Sequence, residues 1–202
     1  MFEVLTVCTG NICRSPLAEQ LLRLHLAPLD AQVSSAGTRG LSSAPMTPEA
    51  LALADQLGVP ASDSTAHRSR FLTEKHLVAP DLIITMTRDH RRQVAELAPA
   101  RMRSTFTARE FARLAADVTD EQIRDAADKA PTQTPGERVR AAAAFVASRR
   151  GMALPPEKPE DDDVIDPYGR SWQTYVLSAD QLTPALAEVV RVLAAVADTD
   201  RL

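Results

Sequence analysis

Apolar positions along the chain follow two periods in turn. Four short runs, Glu3–Val7, Gln32–Ser35, Leu82–Met86 and Arg103–Phe106, have the length and composition of buried strands. Helical spacing takes over from Pro16 onward, where Leu17, Leu21, Leu22 and Leu24 share a face. A second helix is opened by Thr47-Pro48 and stopped by Gly58, a short one is expected over Thr73–Val78, and others over Arg88–Leu97 and Ala108–Ala115. After Val164 the pattern predicts a pair, Ser171–Asp180 and then Pro184–Ala197. Alternating strand and helix signals predict an α/β fold: a single-domain, doubly wound sheet of about four parallel strands flanked by helices, with its site at the carboxyl ends of the strands.

Residues 116–163 interrupt this rhythm. Asp120–Ala130 and Glu137–Arg150 have helical composition, Pro131, Pro135, Pro155, Pro156 and Pro159 punctuate them, and Glu160–Asp163 is an acidic run. The expectation is one domain over residues 1–202 carrying an insertion of two helices and a mobile acidic linker that ends just before Asp166. A helical decoration with no part in chemistry fits the same pattern.

Chemistry concentrates between the first strand and the first helix. Cys-Thr-Gly-Asn-Ile-Cys-Arg-Ser, residues 8–15, puts a thiol and a guanidinium at the two ends of one short loop. The first amides of a helix have no intrahelical acceptor and carry the positive end of the macrodipole, so an anion held there collects several N–H donors. Ser15 suits an N-cap and Pro16 a first helical position. Gly10 and Asn11 tolerate the positive φ that lets successive amides point inward. Arg14 offers a planar fork for two phosphate oxygens. The same field favours thiolate over thiol at Cys8, which becomes a nucleophile beneath a bound phosphoryl group. Cys8 and Cys13 are the sole cysteines, too few for a zinc centre, and neither a metal nor another cofactor is expected.

Composition narrows the picture. With 202 residues and 45% apolar content the chain can bury one substantial core. A net charge of −4 argues against nucleic acid, and the cluster Arg88-Asp89-His90-Arg91-Arg92 reads as a solvated helix face. No apolar run approaches membrane-spanning length and no leader pattern opens the chain, so a soluble, unprocessed, cytoplasmic monomer is expected. A thiolate nucleophile suits such a reducing compartment.

The residues Val7–Pro16 and, far downstream, Asp166-Pro167-Tyr168-Gly169 resemble the two motifs of the low-molecular-weight protein tyrosine phosphatases. Weaker likenesses are Ser35-Ala36-Gly37-Thr38, Ala66–Arg70 and Asp81–Met86, and the resemblance covers about residues 1–113 and 164–200. It implies that Cys8 forms a cysteinyl-phosphate intermediate, Arg14 clamps the phosphate, Ser15 stabilises the thiolate and Asp166 is the general acid. The loop residues Thr9, Gly10, Asn11, Ile12 and Cys13 would surround the phosphate, with Ser35 and His67 supporting the loop. Tyr168 would form one aromatic wall. Across from it, residues 39–45 contain no aromatic side chain, leaving Leu41 as the facing wall.

The expected substrate is a phosphotyrosine protein or a small aryl phosphate. Arsenate reduction on the same fold is a rival, although internal electron relay needs a further cysteine. Arginine or sugar phosphate hydrolysis is another; relatives that act on phosphoarginine carry Thr where this chain has Ile12. Cys13 adds the expectation of reversible redox inactivation by pairing with an oxidised Cys8.

Overall fold

The computed structural model describes residues 1–197; residues 198–202, including the last three positions of the resemblance noted above, lie outside it. Four strands, β1 (Phe2–Cys8), β2 (Ala31–Gly37), β3 (Leu82–Thr85) and β4 (Thr105–Thr107), form one parallel sheet in the order β2-β1-β3-β4. The chain leaves β1 toward β2 on one side and later returns to β3 on the other. The carboxyl end of β1 is therefore the switch point, where a crevice opens between diverging connections.

Among the described residues eight α-helices follow in chain order: α1 (Arg14–Leu26), α2 (Pro48–Gln56), α3 (Ala61–Ala66), α4 (Arg88–Leu97), α5 (Ala108–Ala115), α6 (Asp120–Ala127), α7 (Pro135–Ser148) and α8 (Trp172–Ala197). Successive strand side chains point to opposite faces, and the two faces are unequal. Phe2, Val4, Leu82 and Ile84 join a large core with residues of α1, α5 and α8. Leu5, Val7 and Ile83 join a smaller one beneath Val94 of α4 and Leu77.

Several boundaries differ from the sequence pattern. α8 is one helix where a pair was expected. Pro184 removes one N–H from its ladder, but it sits on the exposed face, where water can take the freed carbonyl, while Leu182, Ala185 and Leu186 on either side stay buried. Burial along the inward face overrides the break. The fourth strand begins at Thr105, because Pro99–Ser104 winds into a 3-10 turn, and the helix expected over Thr73–Val78 is a 3-10 turn over Glu74–Leu77. α3, six residues without apolar periodicity, was not anticipated.

α6 and α7 pack against each other and against α8, and α7 also reaches the sheet. Arg140 of α7 holds the buried Asp81 at 2.8 Å, and Asp81 in turn accepts from the Glu3 amide of β1. The end of the acidic run is tethered: Asp162 pairs with Arg113 at 2.7 Å and Asp163 with Arg88 at 3.1 Å. Val164 then donates its amide to the Met86 carbonyl just past β3. These bonds bring the chain to Asp166 beside the end of β1.

Candidate active site

Cys8 is the last residue of β1 and Arg14 the first of α1, so residues 9–13 make the whole turn between them. Ser15 is not the N-cap. Cys13 holds that position without a side-chain cap, and Ser15 lies inside the helix with its hydroxyl turned onto the thiol, Oγ to Sγ 3.0 Å. The reason is competition for one hydroxyl: Ser15 Oγ accepts from Asn11 Nδ2 at 3.0 Å, and its proton is shared between Cys8 Sγ and the Ala36 carbonyl at 3.5 Å. The Asn11 amide also donates to Sγ, at 3.3 Å.

Asn11 sits at φ 55°, as its residue type allows. Gly10 does not use the positive φ expected of it. The glycine that matters sterically is Gly37 on β2, where a Cβ would come within 2.6 Å of the Thr9 carbonyl oxygen. Asn11 holds its conformation through every polar group it owns. Nδ2 donates to Ser15 and, at 2.7 Å, to Ser35; Oδ1 accepts from the Arg70 amide at 2.9 Å; its carbonyl accepts from His67 Nε2 at 2.8 Å. Burial lowers the His67 pKa, against the Glu19 carboxylate 3.9 Å from Nδ1, and Nε2, facing a carbonyl oxygen, is a donor. Beneath them Glu19, which the sequence reading passed over, accepts from Ser35 and pairs with Arg23.

Arg14 is 3% exposed. Its Nη1 donates to the Val164 carbonyl at 3.0 Å, and Nη2 lies 2.7 Å from Asp166 Oδ2 and 3.5 Å from Thr9 Oγ1. Its Nε is buried with no partner. A guanidinium fixed at its far corner, with one N–H unspent, is a ready donor to an anion above Cys8.

These groups open into a cleft of about 320 Å3. Cys8, Thr9, Gly10, Ile12, Cys13 and Arg14 form its base, Arg39, Gly40 and Leu41 one wall, and Asp166 and Tyr168 the other. Thr9, Gly10, Ile12, Cys13, Leu41 and Tyr168 line the cleft with Cys8, Arg14 and Asp166, whereas Asn11, also expected around the phosphate, does not, nor do Ser15, Ser35 and His67. Arg39 was not anticipated. Phe71, an exposed aromatic residue, stands 3.7 Å from where a Cβ on Gly40 would be, next to that wall. Cys13 turns to the other side, toward Thr47 Oγ1 at 3.5 Å and the Tyr175 hydroxyl at 3.7 Å. Burial raises the Cys13 pKa and pushes that of Tyr175 up to about 12. Both cysteines are free thiols.

His90 corrects the reading of residues 88–92 as a wholly solvated face. Arg88 and Arg92 point outward to acidic partners, whereas His90 and Val94, four apart on α4, face the protein. His90 is 3% exposed, with Nε2 2.9 Å from Thr9 Oγ1 and Nδ1 2.9 Å from Thr87 Oγ1. Burial, with Arg14 nearby, pushes its pKa down to about 4.

A sequence model of the low molecular weight phosphotyrosine protein phosphatases matches residues 3–130. The chain is 42% identical over 97 residues to the low molecular weight protein-tyrosine-phosphatase Etp of Escherichia coli (strain K12), an alignment covering 48% of this chain and 62% of that protein. It is 33% identical over 110 residues to a protein-arginine-phosphatase of Geobacillus stearothermophilus, covering 54% and 71%. Its structure resembles that of a YwlE mutant from Bacillus subtilis with a TM-score of 0.65 at 23% identity, over 96% of this chain and 99% of that one, a likeness of fold. Asp166 lies beyond the residues the family model matches, and its place in the site rests on the ion pair with Arg14. With the loop, its buried guanidinium and the sheet order in agreement, the chain belongs to the low molecular weight phosphotyrosine protein phosphatase family.

Proposed function

We propose that this protein hydrolyses phosphotyrosine in proteins, or small aryl phosphates, through a cysteinyl-phosphate intermediate. The observation that carries the reading is Arg14, buried beside the Cys8 thiol with Nε unpartnered and Nη2 held by Asp166. A phosphoryl dianion accepts from Nε, from Nη2 and from loop amides, which seats phosphorus over Sγ. Asp166 is then displaced from Arg14 toward the ester oxygen. The Cys8 thiolate attacks phosphorus, the P–O bond breaks, and the Asp166 proton passes to the leaving phenolate. Water next attacks the phosphoryl group, gives its proton to Asp166, and the P–S bond breaks to release inorganic phosphate and the thiolate.

The walls favour an aryl ester. Ile12 brings only carbon to the cleft, Leu41 faces it, and Tyr168, 63% exposed, offers a ring for stacking. The relatives' names divide between tyrosine and arginine phosphatases. A guanidinium substituent would find no hydroxyl at Ile12, though Asp166 remains as a carboxylate partner. Residues 116–163 read as an insertion of this single domain whose ion pairs set the position of Asp166. Working as a monomer in the cytoplasm fits a site that needs a free thiol. Among the described residues no helix is long and apolar enough to cross a membrane.

Redox control follows from the second thiol. Peroxide oxidises the Cys8 thiolate to sulfenic acid; the Cys13 thiol condenses with it, losing water and forming a disulfide; an external dithiol or glutathione restores both thiols. Burst kinetics on phosphotyrosine, phosphoserine and phosphoarginine peptides, with arsenate reduction measured alongside and Cys8→Ser as control, test the assignment. A burst confined to phosphotyrosine is expected. A larger kcat/KM for phosphoarginine, or arsenate turnover without ester hydrolysis, would overturn it.

A further inference from the structure

Thr9 and His90 form an arrangement that the steps above do not use. Thr9 Oγ1 is approached by Arg14 Nη2 at 3.5 Å and by His90 Nε2 at 2.9 Å, while the other ring nitrogen meets Thr87 Oγ1 at 2.9 Å. Thr87 is the N-cap of α4, and its oxygen already accepts from the His90 amide at 3.3 Å. A ring that stays neutral above about pH 4 has one N–H, so two tautomers are open. With the proton on Nδ1, Thr87 Oγ1 would take two N–H groups and its own O–H would be spent elsewhere. With the proton on Nε2, the Thr87 hydroxyl donates to Nδ1 and every group is used once. In that tautomer Thr9 Oγ1 accepts from both His90 Nε2–H and Arg14 Nη2–H. Its two lone pairs are occupied, and its single O–H points to the one side left, the cleft that Thr9 lines next to Cys8.

We propose that His90 is a positioning residue that holds the Thr9 hydroxyl as a hydrogen-bond donor to a phosphoryl oxygen, adding a side-chain donor to the amides of the loop. This rests on the phosphatase reading given above. Thr9 touches the phosphoryl group; His90 acts through Thr9 and through the shared contact with Arg14. A donor aimed where charge gathers between the entering sulfur and the leaving oxygen acts more on kcat than on KM.

The variants Thr9→Val, His90→Gln, His90→Phe and the Thr9→Val/His90→Phe pair are compared for kcat and KM on an aryl phosphate, and for inhibition by vanadate. Thr9→Val keeps the shape and is expected to lower kcat/KM about 10–100-fold, mostly in kcat, with a matching loss of vanadate affinity. His90→Phe loses in the same direction, and the pair loses no more than Thr9→Val alone, because the two act as one unit. His90→Gln, whose amide N–H can reach the same oxygen, recovers most of the activity lost in His90→Phe. The proposal is overturned if Thr9→Val stays within about two-fold of the parent in both readouts, or if the two losses multiply in the pair. If His90→Phe does not fold, Thr9→Val and His90→Gln decide it. A parent protein that turns over no aryl phosphate would sink the phosphatase reading instead; calorimetric titration of parent and Thr9→Val with vanadate then decides the hydroxyl separately, equal affinity refuting its role.

Discussion

Arg14 Nη2 and Asp166 Oδ2 lie 2.7 Å apart, joining the first residue of α1 to a residue from the far end of the chain. Arg14 is almost wholly buried, whereas the Asp166 side chain is 45% exposed, so the carboxylate is the partner free to leave. A phosphoryl oxygen and Asp166 compete for the same edge of the guanidinium, and that competition couples substrate binding to release of the acid.

Asp166→Asn should therefore have two opposite effects. Turnover of aryl phosphates with poor leaving groups falls by about 10²–10⁴-fold while those with good leaving groups fall much less. Inorganic phosphate binds tighter, because a negative charge next to Arg14 is gone. Steady-state rates across a leaving-group series, with phosphate as competitive inhibitor, check both; equal slowing across the series excludes Asp166 as the acid.

Acid should destabilise the fold through His90. The folded protein keeps this ring neutral down to about 4, while the unfolded chain protonates it near the ordinary histidine value, so between those limits the unfolded state binds more protons. Stability contributed by the neutral ring is complete above pH 6.5 and is lost as pH falls toward 4, about 3 kcal/mol across the window. His67, lowered by burial, pulls in the same direction. Urea unfolding at pH 7 and pH 4.5 should show a smaller acid loss in His90→Gln than in the parent; the same loss in both would assign the effect elsewhere.

Gly37→Ala should be felt in the loop two elements away. Its methyl would meet the Thr9 carbonyl oxygen at 2.6 Å and the Asn11 amide at 3.0 Å, both backbone atoms with little room to give. Overpacking of this kind costs about 1–3 kcal/mol, a fall of several degrees in Tm for a chain of this size. Turnover falls with it, since the displaced atoms hold the Asn11 amide against Cys8. Calorimetry and rate measurements on this one variant suffice, and an unchanged Tm would show that β2 yields.

Cys13→Ser should convert reversible peroxide inactivation into irreversible loss. Burial raises the pKa of this thiol, so condensation with a sulfenic Cys8 is expected to be slow near neutrality and faster as pH rises. Activity recovered by dithiothreitol after a peroxide pulse is the readout. Equal recovery in parent and variant would leave Cys13 as packing against Thr47 and Tyr175.

The chemical residues were legible because they are local: Cys8, Asn11, Arg14 and Ser15 fall within one loop, and strand, turn and helix signals flank it. The role of Ser15 was half legible. Its type suggested a cap, but the hydroxyl is claimed by Cys8 and Asn11, a competition that sequence distance does not reveal. His90 was misjudged because its four charged neighbours set the character of the segment, while the spacing to Val94 that turns it inward is a single pair. Pro184 misled for a related reason, since a residue that breaks an isolated helix is tolerated where the opposite face is buried.

By itself the sequence determined the alternation of strand and helix, the parallel sheet and the anion-binding turn after β1, all of which rest on periodicity and on contacts between near neighbours. Asp166, Ser35 and His67 were named through the resemblance, but only the tertiary structure decided how these and other remote groups reach the turn. Gly37 lets the loop approach β2, Glu19 and His67 lie behind Asn11, His90 reaches Thr9 from α4, and the tethers at Asp162, Asp163 and Val164 deliver Asp166 to Arg14. Side-chain direction and burial follow from how elements stack, and residues that meet across the end of a sheet share no spacing along the chain.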